Sequence, residues 1–455
     1  MNPYSKVVSN VLFPLHERIK GHSTIRVHKE MERSQWLSPH EIQDLQIERL
    51  RTFFCDIRSH VPYYRELFSA LDFKPEELES LADLQKLPTM GKAEIRQNTD
   101  KMKAENVGGL QRFNTGGSSG EPLIFYLGKK RISHDVAAKR RATRWWNVDI
   151  GDPEIVVWGS PIELGSQDRV RQLRDKLFRS ELLSAFEMSE RNLDSFIRSI
   201  VKKKPKMLFG YPSSLAHIAK HAQSLGVNLD NLGIRVAFVT SERLYDHQRT
   251  QIETVFGCPV ANGYGGRDAG FIAHECPHGS MHITADDIVV ETVNSDGTTA
   301  LPGEAGEIVV THMATNQFPF VRYRTGDVGV IDGTGCACGR GLPVLSDLQG
   351  RTTDFLVAAD GTIMHGLALI YVMRDLEGVR EFKIIQESVE HVRVLVIPDG
   401  QWGENLVDVI TEGFKARLGS DVQVTVDITS NIEAEASGKK RYVVSHVAPS
   451  TGAGL

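Results

Sequence analysis

The sequence predicts an α/β fold: a large N-terminal domain of mixed, largely parallel sheets with helices and a β-rich subdomain, followed by a small α+β C-terminal domain. Short apolar runs at residues 155–158, 208–212 and 236–240 predict buried strands, and helical segments follow the last two. Strands that alternate with helices favour a largely parallel sheet with both faces covered. Apolar segments at 288–291 and 307–310, separated by Gly and Asp turns, predict the β-rich subdomain.

The pattern of about the last hundred residues predicts a separate domain. In order it contains two strands, a helix and a third strand, at residues 382–385, 392–396, about 404–418 and 422–426. This order suggests a small α+β domain that begins after Gly350-Arg351. We therefore expect two domains, at residues 1–349 and 350–455.

The composition is that of an ordinary globular protein, and it argues against several classes. The chain has 455 residues, of which 41% are hydrophobic and 24% charged, enough for a large core. A net charge of -5 without a long basic block gives no support for nucleic-acid binding. No apolar run approaches the roughly 18 residues of a membrane span, and the N-terminus lacks the pattern of a secretory signal. Five cysteines do not resemble a disulfide framework, so we expect a cytoplasmic protein.

A helix start is expected at Ser38, where a hydroxyl cap precedes Pro39 and Glu41 follows three residues after the cap. Apolar residues then recur at helical spacing from Ile42 to Val61, so this helix should pack one face on a core. The proline that follows at position 62 is expected to end it.

A run rich in glycine and hydroxyl residues, NTGGSSGEP at residues 114–122, precedes an apolar strand at 123–127. Glycines allow a backbone to approach a ligand closely, and consecutive amides with hydroxyl donors bind anions. The run is not a Walker A loop, because Gly120 is followed by Glu121 and not by lysine. From the residues alone it is either a phosphate-binding loop of another fold or a polar turn between elements.

Four further stretches combine glycine with side chains that suit nucleotide chemistry. Each of them alone is more simply a polar turn. They are NGYGGRDAG at residues 262–270, YRTGD at 323–327, GRTTD at 350–354 and SGKKR at 437–441.

Together, in this order and at these separations, the five stretches resemble the motifs of the adenylate-forming (AMP-binding, ANL) superfamily. The similarity is greatest to its phenylacetate–CoA ligase-like branch, which includes relatives associated with capsule biosynthesis, and it extends to Lys439. The resemblance implies a large N-terminal domain, a small mobile C-terminal domain, and activation of a carboxylate with MgATP. The product would be an acyl-AMP with release of pyrophosphate, and the acyl group would then pass to a thiol, with CoA the expected acceptor.

The resemblance also assigns nucleotide-binding roles to residues at matching positions. The flexible loop around the β- and γ-phosphates would consist of Thr115, Gly116, Gly117, Ser118, Ser119 and Gly120. The residues around the adenine and the rest of the nucleotide would be Ser241, Glu242, Asn262, Gly263 and Tyr264. Asp327 would accept hydrogen bonds from the ribose hydroxyls, with Arg351 nearby.

Two residues would act on the reacting groups themselves. By the same resemblance, Asp268 would hold Mg²⁺, and Lys439 would reach the carboxylate and the α-phosphate. A metal ion and a lysine suit this step, because the two groups that must meet are both anions. Tyr211 and Pro212 lie where relatives line the acid pocket.

Three positions depart from the usual pattern of the family. The metal position most often carries glutamate, whereas Asp268 is one methylene shorter. Thr353 stands where an acidic hinge residue is frequent, and Glu121 replaces the lysine of many relatives. Relatives in this branch tolerate the change at Glu121, whereas Asp268 and Thr353 keep open a non-catalytic nucleotide-binding homologue as an alternative to an enzyme.

Cysteines and histidines in the β-rich region form a second candidate site. Cys276, Cys336 and Cys338 supply three sulfur atoms, and His278 and His282 supply imidazoles. Three thiolates with one imidazole make a closed tetrahedral zinc set, although the spacing is not that of a standard finger. Free thiols in a reduced cytosol are the alternative. Relatives in the branch have a similar arrangement, which favours His282 over His278 and a structural zinc ion.

The acid and the final acceptor stay open. The resemblance favours an acid–CoA ligase. Adenylation with an amine, sugar or hydroxyl acceptor, as in polysaccharide or secondary-metabolite biosynthesis, is the alternative. The expected partners are a small carboxylic acid, ATP and CoA. No motif defines the acid or the oligomeric state, for which a homodimer is one option.

Overall fold

The computed structural model describes most of the chain and leaves out several short segments. The described residues are 2–114, 123–158, 169–185, 190–294, 297–351, 355–359, 363–365, 369, 372–373, 376–400, 402–403, 405–432 and 443–447. They fall into two compact units. The first comprises the described part of residues 1–347 except Gly326–Val328, and the second comprises Gly326–Val328 with the described residues from Leu348 onward. The domain boundary expected at 349/350 stays a prediction.

Helices make up much of the first unit. They are α1 Pro3–Val7, α2 Phe13–Ile19, α3 Thr24–Ser34, α4 Pro39–His60, α5 Pro62–Ala70, α6 Lys92–Asn98, α7 Lys129–Trp145, α8 Arg169–Phe178, α9 Glu190–Lys203, α10 Pro212–Ser224 and α11 Asp246–Phe256. A π-helical turn at Val8–Leu12 joins α1 to α2, and short 3-10 helices lie at Pro75–Glu77 and Leu81–Lys86. None of the described helices combines the length and the apolar composition that crossing a bilayer requires.

The start of α4 follows the sequence prediction. The Ser38 hydroxyl accepts a hydrogen bond from the Glu41 amide at 3.3 Å, and the Glu41 carboxylate accepts one from the Ser38 amide at 2.7 Å. This reciprocal capping box satisfies two amides that the first helical turn leaves without partners. The predicted end is also confirmed, although Pro62 begins a new helix, α5, directly after the break.

Two sheets lie in the first unit, a two-stranded sheet and a mixed sheet of 11 strands. The small sheet pairs β1 Gln111–Asn114 with β2 Ile124–Leu127. The strands of the large sheet are β3 Glu154–Trp158, β4 Ser180–Ser184, β5 Met207–Gly210, β6 Val236–Thr240, β7 Val260–Gly266, β8 Gly270–Glu275, β9 Met281–Ile283, β10 Ile288–Val293, β11 Ala305–His312, β12 Phe320–Asp332 and β13 Val344–Arg351.

The large sheet has a parallel half and a half that contains antiparallel pairs. β4, β3, β5, β6 and β7 are neighbours in that order and run parallel. β5 and β6 are buried at every residue, as expected for parallel strands covered on both faces. β8 pairs antiparallel with β7 and β9, and β13 pairs antiparallel with β9. The predicted mixed α/β class is therefore confirmed, and the β-rich part continues the parallel strands in one sheet.

A buried apolar cluster packs the helices α9, α10 and α11 against the parallel strands. It includes Ile200 and Leu215 from the helices, Ala237 and Val239 from β6, and Ile252 from α11. Each fully buried aliphatic side chain contributes about 1.5–3 kcal/mol relative to an exposed one. This packing holds the ends of the parallel strands, where several of the predicted site residues lie.

The second unit has the predicted strand–strand–helix–strand order. Its elements are β14 Phe355–Val357, β15 Ile363–His365, β16 Val379–Ser388, β17 His391–Pro398, α12 Asn405–Leu418, β18 Gln423–Ile428 and β19 Val443–Ser445. The last four strands form one sheet in the order β18-β17-β16-β19. The buried Gln386 side chain accepts from the Val357 amide at 2.9 Å and donates to the Val357 carbonyl at 2.7 Å, which ties β14 to β16.

Candidate functional site

The predicted nucleotide site lies at the carboxyl ends of the parallel strands. β5 and β6 lead directly into Tyr211 and Ser241, and β7 carries Tyr264. The register pairs Thr240 of β6 with Gly263 of β7, so Ser241 and Tyr264 follow at the same edge of the sheet. In open α/β sheets this edge is where ligands bind.

An aromatic pair lies at the ends of β3 and β5. The rings of Trp158 and Tyr211 are stacked, with centroids 4.3 Å apart and an interplanar angle of 20°. The register explains this contact, because Val157 pairs with Gly210 and the next residue of each strand is aromatic. Tyr211 also precedes Pro212 at the first position of α10. The predicted acid-pocket residue Tyr211 therefore offers a flat apolar surface shared with Trp158.

Ser241 has a strained backbone. Its φ of 71° lies in the left-handed region that non-glycine residues rarely adopt. Such strain costs on the order of 1–3 kcal/mol and persists where the surroundings impose it, often at ligand sites. The neighbouring Glu242 side chain accepts a hydrogen bond from the Ser213 amide at 3.3 Å, which connects this turn to the start of α10.

Asn262, Gly263 and Tyr264 lie in β7 next to this turn. The Asn262 amide donates to the Glu275 carboxylate at 2.8 Å, and Arg249 donates to the same oxygen at 2.8 Å. The largely buried Tyr264 donates its hydroxyl hydrogen to Thr325 at 3.3 Å. These contacts hold the backbone of the predicted adenine-binding segment from both sides.

Asp268 lies in the tight turn between β7 and β8. Its carboxylate accepts a hydrogen bond from the Tyr323 hydroxyl at 2.7 Å and another from the Ala269 amide at 3.0 Å. Gly265 has a φ of 157°, and a Cβ at this position would collide with the Gly270 carbonyl. Tyr323 is fully buried. Sequence reasoning assigned no role to Tyr323, although this tyrosine is the first residue of the 323–327 motif.

Other predicted site residues lie elsewhere in the chain or outside its described part. Asp327 is in β12, and Arg351 ends β13. The loop Thr115, Gly116, Gly117, Ser118, Ser119 and Gly120 lies outside the described residues, as do Lys439, Thr353 and Glu121. The structure thus places Ser241, Glu242, Asn262, Gly263, Tyr264 and Asp268 at or beside one sheet edge. The roles of these residues stay predictions.

The predicted zinc ligands lie close together, and we call Cys276, His282, Cys336 and Cys338 the sulfur cluster. One ligand atom from each residue lies within 4.8 Å of all the others. The Cys276 and Cys336 sulfur atoms are 3.7 Å apart, and the Cys338 sulfur is 3.2 Å from Nε2 of His282. The other ring nitrogen, Nδ1, donates to the Leu342 carbonyl at 3.2 Å. This bond leaves Nε2 as the nitrogen with a lone pair toward the sulfur atoms.

Backbone turns bring the sulfur cluster together. Cys276 follows β8 in a turn closed by the Gly279 amide and the Cys276 carbonyl, and the Gly339 amide closes a similar turn on the Cys336 carbonyl. His282 lies in β9, which pairs with β13. Burial raises the pKa of Cys276 to about 11 and lowers the pKa of His282 to about 4. His278 does not belong to the sulfur cluster among the described residues.

The chain is similar to known ligases along most of its length. Residues 356–446 match the family described as the CapK C-terminal domain. The chain is 25% identical to Protein CapK of Staphylococcus aureus, covering 90% of both proteins. It is 23% identical to the phenylacetate-coenzyme A ligase of Aromatoleum evansii, covering 91% of this chain and 97% of that ligase.

Solved structures have the same fold. The crystal structure of 2-hydroxyisobutyryl-CoA ligase in the postadenylation state with 2-HIB-AMP gives a TM-score of 0.73 at 19% identity, covering 91% of each chain. ATP-bound MatB from Rhodopseudomonas palustris gives a TM-score of 0.54 at 14% identity, covering 73% of this chain and 66% of MatB. The fold expected from the five sequence motifs is thereby confirmed.

Proposed function

Since the chain belongs to the adenylate-forming superfamily, in its phenylacetate–CoA ligase-like branch, we propose that it activates a carboxylic acid with ATP. The product is an acyl-AMP with release of pyrophosphate, and CoA then accepts the acyl group as a thioester. One observation carries the proposal. Strained Ser241, the Asn262–Tyr264 segment and hydrogen-bonded Asp268 all lie at the carboxyl edge of the parallel half of the large sheet.

The residues of this edge supply distinct parts of the site. Asn262 and Tyr264 hold the adenine, and Ser241 and Glu242 lie beside it. The Asp268 carboxylate has roughly four lone-pair positions, and among the described residues Tyr323 and Ala269 use two of them. Oxygen ligands suit Mg²⁺, so the side chain fits this ion. When bound, Mg²⁺ neutralises phosphate charge, which permits an anionic carboxylate to approach.

Other parts of the proposal rest on the sequence motifs, and of their residues Thr115 to Gly120 and Lys439 lie outside the described part of the chain. Thr115 to Gly120 surround the β- and γ-phosphates, and Lys439 contacts the carboxylate and the α-phosphate. Asp327 and Arg351 serve the ribose. The domains are 1–349 and 350–455, and the protein works in the cytoplasm.

The sulfur cluster fits a structural zinc ion. Three sulfur atoms and Nε2 of His282 form a closed set of four ligands, which is the usual composition of a zinc site without catalysis. Such an ion would connect the β8–β9 hairpin to the loop before β13. This connection lies on the same sheet as the Asp268 turn, and it would stabilise the sheet.

Pyrophosphate exchange into ATP tests the adenylation step. The acid panel should include phenylacetate, because Trp158 and Tyr211 offer an aromatic surface, together with short hydroxy acids and sugar acids. We expect acid-dependent exchange with at least one member, and a loss of about 100-fold or more in Asp268→Ala, since the metal ligand stabilises charge.

The outcomes separate the alternatives. Exchange together with consumption of CoA supports the ligase. Exchange without CoA consumption indicates an amine, sugar or hydroxyl acceptor. No exchange with any acid, while ATP still binds, would indicate a non-catalytic nucleotide-binding homologue.

A further inference from the structure

A buried ion pair lies on α7, directly beneath the β7–β8 turn. The Arg131 side chain is only 1% exposed, and its Nε is 3.0 Å from both carboxylate oxygens of Asp135. These two residues are four positions apart, a spacing that usually marks a weak pair on a helix surface. Here the arginine is taken out of water, so its remaining donors need partners.

The remaining donors of Arg131 point to the turn that carries Asp268. Nη1 donates to the Asp268 carbonyl at 3.1 Å, and Nη2 donates to the Arg267 carbonyl at 3.3 Å. Gly270 makes this approach possible, because a Cβ there would be 2.9 Å from Nη2 of Arg131 and from Nε2 of His312. One buried guanidinium therefore connects the half-buried Asp135 carboxylate on α7 to two consecutive carbonyls of the turn.

Two histidines complete the surroundings of Asp135, and we call His134, Asp135 and His312 the histidine cluster. Nδ1 of His134 and Nε2 of His312 lie 3.7 and 3.9 Å from an Asp135 oxygen. Both imidazoles are buried, and neither of these nitrogens has a hydrogen-bond partner among the described residues.

Two imidazoles and a carboxylate are common metal ligands, so the residue types of the histidine cluster alone would permit a metal ion between the three side chains. Arg131 already donates to both Asp135 oxygens, however, and a second cation at this distance would be repelled by the guanidinium. The arginine thus takes the place that a metal ion would have.

We propose that Arg131, anchored by Asp135, is a positioning residue for Asp268. It holds the two carbonyls of the turn, while Tyr323 holds the carboxylate, so the ligand oxygens face the nucleotide site in one orientation. The magnesium part of this inference rests on the proposed function, whereas the effect on the turn does not. Burial and the nearby guanidinium keep the pKa of His312 well below its ordinary value, which leaves Arg131 as the cation of the cluster.

Hydrogen–deuterium exchange of the ligand-free protein tests the effect on the turn. Arg131→Lys keeps the charge but loses the fork that reaches both carbonyls. Arg140→Lys is the matched control, because Arg140 lies on the same helix and pairs with buried Asp149 at 2.8 Å, with a further bond to the Ser9 carbonyl.

In Arg131→Lys we expect the amides of a peptide covering residues 265–272 to exchange about tenfold faster, because about one hydrogen bond is lost. In the control variant their exchange rate should be the same as in wild type. Asp135→Asn, which keeps Arg131 but weakens its anchor, should have a smaller effect in the same direction. Equal exchange in Arg131→Lys and Arg140→Lys would overturn the proposal.

The Mg²⁺ dependence of ATP–pyrophosphate exchange tests the effect on Asp268. In Arg131→Lys the half-saturating Mg²⁺ concentration should rise about tenfold, and saturating Mg²⁺ should restore most of kcat, because the ligand is misplaced and not removed. Arg140→Lys should keep the wild-type Mg²⁺ dependence. Faster hydrogen–deuterium exchange of the turn with an unchanged Mg²⁺ dependence of pyrophosphate exchange would also overturn the positioning role.

If the wild-type protein exchanges no pyrophosphate into ATP, the proposed function fails. Hydrogen–deuterium exchange alone then decides whether Arg131 holds the turn.

Discussion

The sulfur cluster and the histidine cluster are both compact groups of metal-ligand side chains, yet they differ in their source of positive charge. In each, the ligand atoms lie within 4.8 Å of one another. Asp135 of the histidine cluster receives two contacts from Arg131. In the sulfur cluster, the described contacts of the sulfur atoms are to another sulfur, to an imidazole and to the Cys338 amide.

The source of positive charge distinguishes a metal site from an internal ion pair. A buried carboxylate is stable only when a cation or hydrogen bonds compensate it. Asp135 has its cation in the chain itself. Three neighbouring cysteines, of which Cys276 is buried and the other two are half-buried, can become thiolates together only if a metal ion supplies the charge. We therefore expect a metal in the first cluster and none in the second.

Breaking the sulfur cluster should have the largest effect. Cys338→Ser removes one of four ligands, and we expect zinc content to fall from about one ion per chain to near zero. The free energy of unfolding should fall by on the order of 5 kcal/mol, since metal binding contributes directly to folding.

Cys258→Ala is the control, because Cys258 is buried in the apolar core away from the cluster. It should keep the zinc and lose much less stability. Metal analysis and urea unfolding measure both quantities. Protein purified without added metal that contains no zinc would remove the distinction between the two clusters.

Removing the cation of the histidine cluster should have an intermediate effect. Arg131→Met leaves the Asp135 carboxylate, whose side chain is 20% exposed, without its partner. Breaking a fully buried pair typically costs about 3–5 kcal/mol, so we expect a loss at or below the lower end of that range. A second change, Asp135→Leu, should recover much of that loss, because the unpaired charge is gone. Urea unfolding of the single and double variants checks this, and zinc content should stay as in wild type. A double variant that is no more stable than Arg131→Met would contradict the assignment of Arg131 as the cation that compensates Asp135.

Acid should weaken the fold modestly through the histidine cluster. Burial, with Arg131 nearby, lowers the pKa of His312 in the folded protein, whereas the unfolded chain binds a proton near pH 6.5. The unfolded state then holds more protons below that pH, so stability decreases as pH falls from about 6.5, by up to 1.4 kcal/mol per pH unit.

Asp135 and His134 both face His312. The Asp135 carboxylate opposes the lowering of the His312 pKa and so offsets part of this loss, whereas His134 adds to the lowering. His312→Gln should therefore show a shallower decline than wild type in urea unfolding at pH 7.0 and pH 5.5. Equal declines would mean that His312 is not an uncharged member of the cluster.

The sequence alone predicted elements whose local pattern is strong. The strand Val236–Thr240 and the capping box at Ser38 are confirmed, because an apolar run and a cap act over a few residues. The grouping of Cys276 with Cys336 and Cys338 also followed from residue types and the resemblance. The roles of Lys439 and of Thr115 to Gly120 stay predictions.

Interactions between segments that are distant in the chain could not be predicted from the sequence. Arg131 and Asp135 have the spacing of an ordinary surface pair, and only the placement of α7 under the β7–β8 turn buries them. Tyr323 contacts Asp268 across 55 positions of the chain. His282 joins the sulfur atoms because β9 pairs with β13 at Val344, a register that no local pattern encodes.

The transfer of an isotopic label from the acid to AMP shows whether the enzyme forms an acyl-AMP. The acid is supplied with ¹⁸O in both carboxylate oxygens, together with ATP, Mg²⁺ and CoA, and AMP is examined by mass spectrometry. When a carboxylate oxygen attacks the α-phosphorus, pyrophosphate leaves and that oxygen bridges acid and AMP. Attack of the CoA thiol on the carbonyl carbon then releases AMP with the labelled oxygen. We predict one ¹⁸O in each AMP formed. Unlabelled AMP, or formation of ADP in its place, would contradict an adenylate-forming mechanism.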